Sequence, residues 1–352
     1  MATAGKGEPA PRLSFAKRAA LLAAVLVFAG LVAFGISRLD FRRFSHALFT
    51  ASPGWIVLAC ALMALSLVLR SVSWHEVLRA ALPSTNIPWP SVVRATMIGV
   101  MGSAVLPGRI GEPSRVLVIT RRLEGRRRNL LPIVTGTVFS QTLINLIALA
   151  LLAGITFTGV PIFQGHVLGI VAAVGVPLAI CALVVAGPRL ISLGLRSHST
   201  RVATAAKTLE RLLRLARQGL RVFARPRLGA AAIGSQLAAW SLQWMACYMV
   251  VLSLGLQGHA NLTTAAAVLL AVNLSAILPA TPSNVGVFQA ACLVVLAAYG
   301  IGSGPGLAYG IILQAVEILT ALMLGIPALL GEGLSLTDIR LRRGELADEA
   351  AE

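Results

Sequence analysis

Residues 91–122 read SVVRATMIGVMGSAVLPGRIGEPSRVLVITRR, and residues 262–300 read LTTAAAVLLAVNLSAILPATPSNVGVFQAACLVVLAAYG. Each stretch runs apolar for about four helical turns, breaks at a Leu-Pro step followed by glycine and polar residues, and then resumes apolar. Proline lacks an amide donor and clashes with the preceding turn, so a helix does not pass straight through such a break. At bilayer depth, broken helices persist only where other protein or a polar cavity satisfies the freed backbone. Two of them, in matching places in two halves of a chain, point to a transporter's binding region.

The surrounding sequence sets these breaks in a membrane. Of 352 residues, 57% are hydrophobic and 12% charged, far more apolar than a soluble domain. Runs long enough to span a bilayer occur at 19–37, 54–70, 130–157, 166–187, 228–256 and 307–330. The reading is an all-α polytopic protein with about six full spans and two broken, re-entrant helical hairpins forming an inverted repeat. Residues 1–14 read as a disordered N-terminus, 15–335 as the integral membrane domain with a basic cytoplasmic segment at 188–227, and 336–352 as a charged tail. Cations Arg12, Lys17 and Arg18 precede the first run, which is longer than a signal-peptide core and reads as an uncleaved span.

The net charge of +17 does not call for nucleic acid, because the cations gather in connections between apolar runs and no recognition motif accompanies them. With Arg121, Arg122 and Arg126–Arg128 placed in the cytoplasm, residues 91–121 must enter and leave on that side. The second broken segment then dips in from the opposite side, and both termini are cytoplasmic. Arg38, Arg42 and Arg43 fall outside in this scheme; snorkelling at the headgroups softens that exception. Along 201–223, Ala206, Leu209, Leu213, Ala216, Leu220 and Phe223 alternate three and four apart while Lys207, Arg211, Arg214, Arg217 and Arg221 take another face. That is a basic amphipathic helix, suited either to an anionic leaflet or to packing as a solvated connector.

Candidate chemistry concentrates at the breaks. Arg109, Glu112 and Arg115 are three apart and share a face of the resumed helix. Glu112 can pair with one arginine, and the remaining cation suits an anionic group such as a lipid phosphate, helped by free amides at the helix start. Anchoring at the headgroups is the plainer reading of the same cluster. Arg94 is a further candidate, for which snorkelling to the near surface is the simpler account. Glu317, with Gln314 a turn before it, is an intramembrane carboxylate and hence either functional or half of a structural ion pair. Gln141 and Asn145 share a face of one span, and Asn273, Asn284 and Gln289 flank the second break; such amides often serve only to join helices. The breaks themselves rest on Pro107, Gly108, Gly111, Pro279, Pro282 and Gly286.

Cys60, Cys181, Cys247 and Cys292 lie within apolar runs and read as small buried hydrophobes. His75 and His166 read as loop or interface residues. No metal-ligand spacing, nucleophile elbow, P-loop or dinucleotide fingerprint is present, and no cofactor is expected.

LPGRIGEPSR, the basic loop after it, and the later LPATPSNVG resemble the transmembrane region of bacterial lysylphosphatidylglycerol synthases and related stand-alone membrane proteins over residues 15–335. The resemblance implies a flippase-like domain that moves a lipid or a lipid-linked sugar between leaflets of a bacterial cytoplasmic membrane. It carries onto Pro107, Arg109, Gly111, Glu112, Arg115, Pro279, Pro282 and Gly286. The chain departs from the family pattern where Gln141, Asn145 and Gln289 stand in places usually acidic, so proton coupling through those acids is not expected. The chain ends soon after the last span, so the synthases' aminoacyl-transferase domain is not expected either. The leading expectation is a translocase of a phospholipid or lipid-linked saccharide, with anionic headgroups as partners. The alternatives are a non-catalytic membrane partner of a synthase or glycosyltransferase and, third, a membrane lipid transferase.

Overall fold

A computed structural model describes residues 46, 49–105, 111–123, 127–159, 220–276 and 284–332. Among these the protein has eight α-helices and no strand. In chain order they are α1 (Pro53–Ala81), α2 (Trp89–Val105), α3 (Gly111–Arg122), α4 (Arg127–Gly159), α5 (Pro226–Ser253), α6 (Leu262–Ser275), α7 (Val287–Ala298) and α8 (Ser303–Gly331). The expected spans at 19–37 and 166–187, most of the basic segment, both terminal segments and the loop residues Pro107, Gly108, Arg109, Pro279 and Pro282 lie outside the described residues. At the described end of the basic segment, Leu220–Ala224 form a 3₁₀ turn with Val222 buried and Phe223 exposed.

Helices α1, α4 and α8 are long and apolar enough to cross a membrane. Helix α5 matches them in length, with 28 residues, but buries Gln236 and Gln243. Pairings between helices fix their directions. Ser52 N–H donates to the Ser253 carbonyl at 2.8 Å, and Ser73 Oγ donates to the Ala232 carbonyl at 2.8 Å, so α1 and α5 lie antiparallel along their lengths. Trp74 Nε1 donates to Thr137 Oγ1 at 3.1 Å and Gln141 Nε2 to the Arg70 carbonyl at 3.2 Å, which sets α4 antiparallel to α1. Tyr309 OH donates to the Cys247 carbonyl at 2.9 Å, tying the first half of α8 to α5.

Both broken segments fold as hairpins. Gly99 and Gly102 of α2 face Arg115 and Gly111 of α3, and a Cβ at Gly102 would sit 3.3 Å from the Gly111 Cα. Such approach is possible because no side chain separates the backbones. In the second hairpin, Asn284 Nδ2 donates to Ser275 Oγ at 3.2 Å near the break. Helix α6 starts with a capping box in which Asn261 Oδ1 accepts from the Thr264 amide at 3.0 Å and Thr264 Oγ1 accepts from the Asn261 amide at 3.2 Å. Asn261→Ala should therefore lower stability by about 1 kcal/mol, read as a lower midpoint of thermal unfolding in detergent, while Asn261→Ser should retain most of it. Helix α7 is preceded by its N-cap Gly286, whose φ of 87° favours glycine. Gly286 comes directly after Asn284 and Val285, with Asn284 at φ 56°.

The two hairpins lie along opposite halves of α8. A Cβ at Gly310 would be 3.2 Å from the Gln289 Cα, and one at Gly306 would be 3.0 Å from Leu293, so α7 runs beside the first half of α8. Met101 of α2 packs on Gly325, and Arg94 meets Glu332, so α2 runs beside the second half. Extrapolated along the helices at 1.5 Å per residue, the broken ends approach α8 about 12 Å apart. Glu317 lies between those two levels.

The largest boundary difference from the sequence reading lies in α1. The span expected over 54–70 continues to Ala81, which moves Arg70 from a membrane edge to the interior of a 29-residue helix. The serines within the extension are satisfied internally: Ser71 Oγ donates to the Leu67 carbonyl at 3.0 Å and Ser73 Oγ crosses to α5.

Candidate functional site

The antiparallel long helices and the first hairpin converge on a polar core in an otherwise apolar bundle. Arg115, on the buried face of α3, is 9% exposed. Its Nη2 pairs with Glu112 Oε2 at 2.5 Å, the i, i+3 contact expected from the sequence. Its Nη1 donates to Gln141 Oε1 at 2.8 Å, and its guanidinium lies 4.8 Å from the centre of the Trp74 ring. Cation–π contact of this kind is worth more when desolvated. Glu112 sits in the first turn of α3, where the helix dipole favours a carboxylate.

Gln141 joins this cluster to α1. Its carbonyl accepts from Arg115 while its amide nitrogen donates to the Arg70 main chain. A carboxylate at this position would accept from Arg115 but could not donate to Arg70, so the amide suits both contacts. The Arg70 side chain turns towards α5, where Nη2 donates to Gln243 Oε1 at 2.6 Å. Its guanidinium stands 5.9 Å from the Trp240 ring. Glu317 and Glu112 act on Arg70 through space, yet among the described residues Arg70 forms no ion pair. Arg70, Glu112, Arg115, Gln141, Gln243 and Glu317 thus bring five helices, α1, α3, α4, α5 and α8, to one charged centre.

The remaining candidates fall around this centre or away from it. Asn145 Oδ1 accepts from Gln236 Nε2 at 2.6 Å and Trp240 Nε1 at 3.1 Å, fastening α4 to α5 next to Arg70. Gln289 Oε1 accepts from the Gly286 amide at 2.7 Å, and its Nε2 donates to Gln314 Oε1 at 2.5 Å, so it both caps α7 and ties it to α8. Asn273 donates to the Leu269 carbonyl of its own helix at 2.8 Å. Arg94 stands apart with Arg122, both on Glu332: Arg94 Nη1 at 3.4 Å and Arg122 Nε at 2.8 Å. Their side chains are 45% and 46% exposed, so they bind the base of the first hairpin to the end of α8 rather than line the centre.

Sequence reasoning missed Arg70, Gln243, Gln236, Trp74 and Trp240. A signal existed: Gln236, Trp240 and Gln243 recur four and three apart on one face of an apolar helix. Among the described residues no group of His, Cys, Asp or Glu could hold a metal ion.

Long apolar helices, buried polar side chains joining them, and exposed leucines, valines and isoleucines on their outer faces define a helical membrane protein. The chain belongs to the lysylphosphatidylglycerol synthase transmembrane-region family, whose model matches residues 21–325. A search among curated proteins found no match.

Proposed function

We propose that this protein is a flippase-like translocase that carries a phospholipid or a lipid-linked saccharide across a bacterial cytoplasmic membrane, with both termini cytoplasmic. The observation that carries this reading is the placement of the two hairpins. Helix α1 ends and α4 begins at one end of the bundle, around hairpin α2–α3. Helix α5 ends and α8 begins at the other, around hairpin α6–α7. In this reading α1–α4 and α5–α8 are inverted repeats, and each hairpin is re-entrant from its own leaflet. Shifting one hairpin along α8 while the other stays would expose the charged centre to alternate sides. Family membership supports the same reading, and the exposed Glu112 side of the core faces away from the packed bundle, where a headgroup could arrive. The centre holds guanidinium, amide and carboxylate groups that position a polar headgroup within the bilayer, and the proposal assigns them binding rather than covalent chemistry.

The test is lipid translocation in proteoliposomes with a fluorescent phosphatidylglycerol and an impermeant quencher. The wild type should expose inner-leaflet probe, and Arg109→Ala and Glu112→Gln should slow this at least about tenfold, the loss of roughly one charge-assisted hydrogen bond. Equal quenching in empty vesicles, wild type and both variants would remove the proposal.

A further inference from the structure

The centre contains two buried donors with nothing to donate to. Among the described residues neither Arg70 Nε nor Arg115 Nε has a hydrogen-bond partner. A buried, unsatisfied donor on a cation is costly, so two of them in one charged centre call for an acceptor. Arg115 already has a carboxylate in direct contact. The Arg70 side chain has only the neutral Gln243 amide as a hydrogen-bond partner, beside the Trp240 ring, with Glu317 acting on it through space. Gln141 holds the two arginine-bearing helices in register by bonding the side chain of one and the main chain of the other.

We propose that Arg70 and Arg115 form a two-arginine seat for the phosphodiester of a membrane lipid, that this phosphate takes the place of Gln243 at Arg70, and that Glu317 is the carboxylate that opposes it there. This rests on the translocase reading and extends it to a binding residue and an exchange of partners. A phosphodiester offers two unesterified oxygens, one for each idle Nε–H, and guanidinium groups match such oxygens in plane. With the seat empty, Arg70 bonds Gln243 and Arg115 is paired with Glu112. With lipid bound, Arg70 turns to the phosphate. Departure of the lipid returns Arg70 to Gln243, and repulsion between Glu317 and the phosphate keeps the lipid from being held too tightly to leave.

The exchange makes an unusual demand: removing the Glu317 charge should strengthen binding and weaken transport. The experiment uses the full chain in nanodiscs of zwitterionic lipid, titrated with fluorescent phosphatidylglycerol, and the same variants in the vesicle assay. Fluorescent diacylglycerol, which lacks the phosphate, is the control probe. Wild type should prefer the phosphatidylglycerol probe at least about tenfold. Arg70→Gln should lose most of that preference and Arg70→Lys part of it. Glu317→Gln should bind the probe at least about threefold more tightly while moving it more slowly, a gain that misfolding cannot produce. Inorganic phosphate at millimolar concentration should leave the probe bound; displacement would reassign the seat to a free anion and overturn the lipid assignment. Unchanged preference in Arg70→Gln, or no tightening in Glu317→Gln, would overturn the seat even if the wild type translocates lipid. Binding effects as stated without any translocation would instead retain the seat and discard the translocase.

Discussion

Gly111→Ala is expected to cost about 3 kcal/mol or more of stability, and Gly111→Val to abolish folded protein. A Cβ at this position would overlap the Gly99 carbonyl oxygen and the Ser103 hydroxyl and come within 2.7 Å of the Ser103 backbone nitrogen. Two of these three atoms belong to the helical backbone of α2 and cannot rotate away, so α2 and α3 must separate. Separation would also pull Arg115 from Gln141, because α3 carries the arginine and α4 the amide. Glycine as such is not the cause: at Gly234 of α5 a Cβ would meet nothing within 4 Å. Gly234→Ala should therefore raise stability, by up to about 1 kcal/mol through helix propensity. Thermal unfolding of both variants in one detergent checks the opposite signs.

Arg115→Leu is expected to produce the second large effect, a loss of about 3 kcal/mol together with loss of the proposed translocation. The substitution leaves the buried Gln141 oxygen without its donor and Glu112 without its cation. Breaking a fully buried pair costs about 3–5 kcal/mol, and the half-exposed Glu112 places this one at the lower end. Glu112→Gln should be milder, about 1–2 kcal/mol, since Arg115 keeps Gln141 and Trp74 and the new amide oxygen can still accept. Arg115→Lys should not rescue activity, because an ammonium cannot serve both partners and lie flat against the indole. A double-mutant cycle between 112 and 115, measured on unfolding midpoints, should give a coupling of about 1–3 kcal/mol; additivity would contradict the pairing.

The breaks were legible in sequence because proline and glycine act locally, and each produced a hairpin where the spacing placed one. Local spacing also gave the Glu112–Arg115 pair, since residues three apart on a helix are neighbours whatever packs against it. What the sequence left hidden is non-local. Arg70 looked like the edge of a span because Arg70, His75, Glu76 and Arg79 follow an apolar run, yet the serines among them bond to carbonyls and the helix continues. That an arginine so deep finds Gln243, 173 positions later, depends on the antiparallel pairing of α1 and α5, which no short window contains. The amides at Gln141, Asn145 and Gln289 stood out as departures from acids. Their use became clear only with partners in place: Gln141 and Gln289 each donate and accept at once, and Asn145 accepts from two donors.

The central claim is that the two hairpins enter from opposite faces of the membrane. Side-specific labelling of single cysteines tests it most directly. Ser84, in the turn before α2, and Gly258, in the loop before α6, are both exposed. In a background with Cys60, Cys181, Cys247 and Cys292 replaced, Ser84→Cys should react with an impermeant maleimide in inverted vesicles and not in intact cells. Gly258→Cys should react in intact cells and not in inverted vesicles. Labelling of both from the same side would contradict the inverted arrangement and, with it, the account of a site opened alternately to each leaflet.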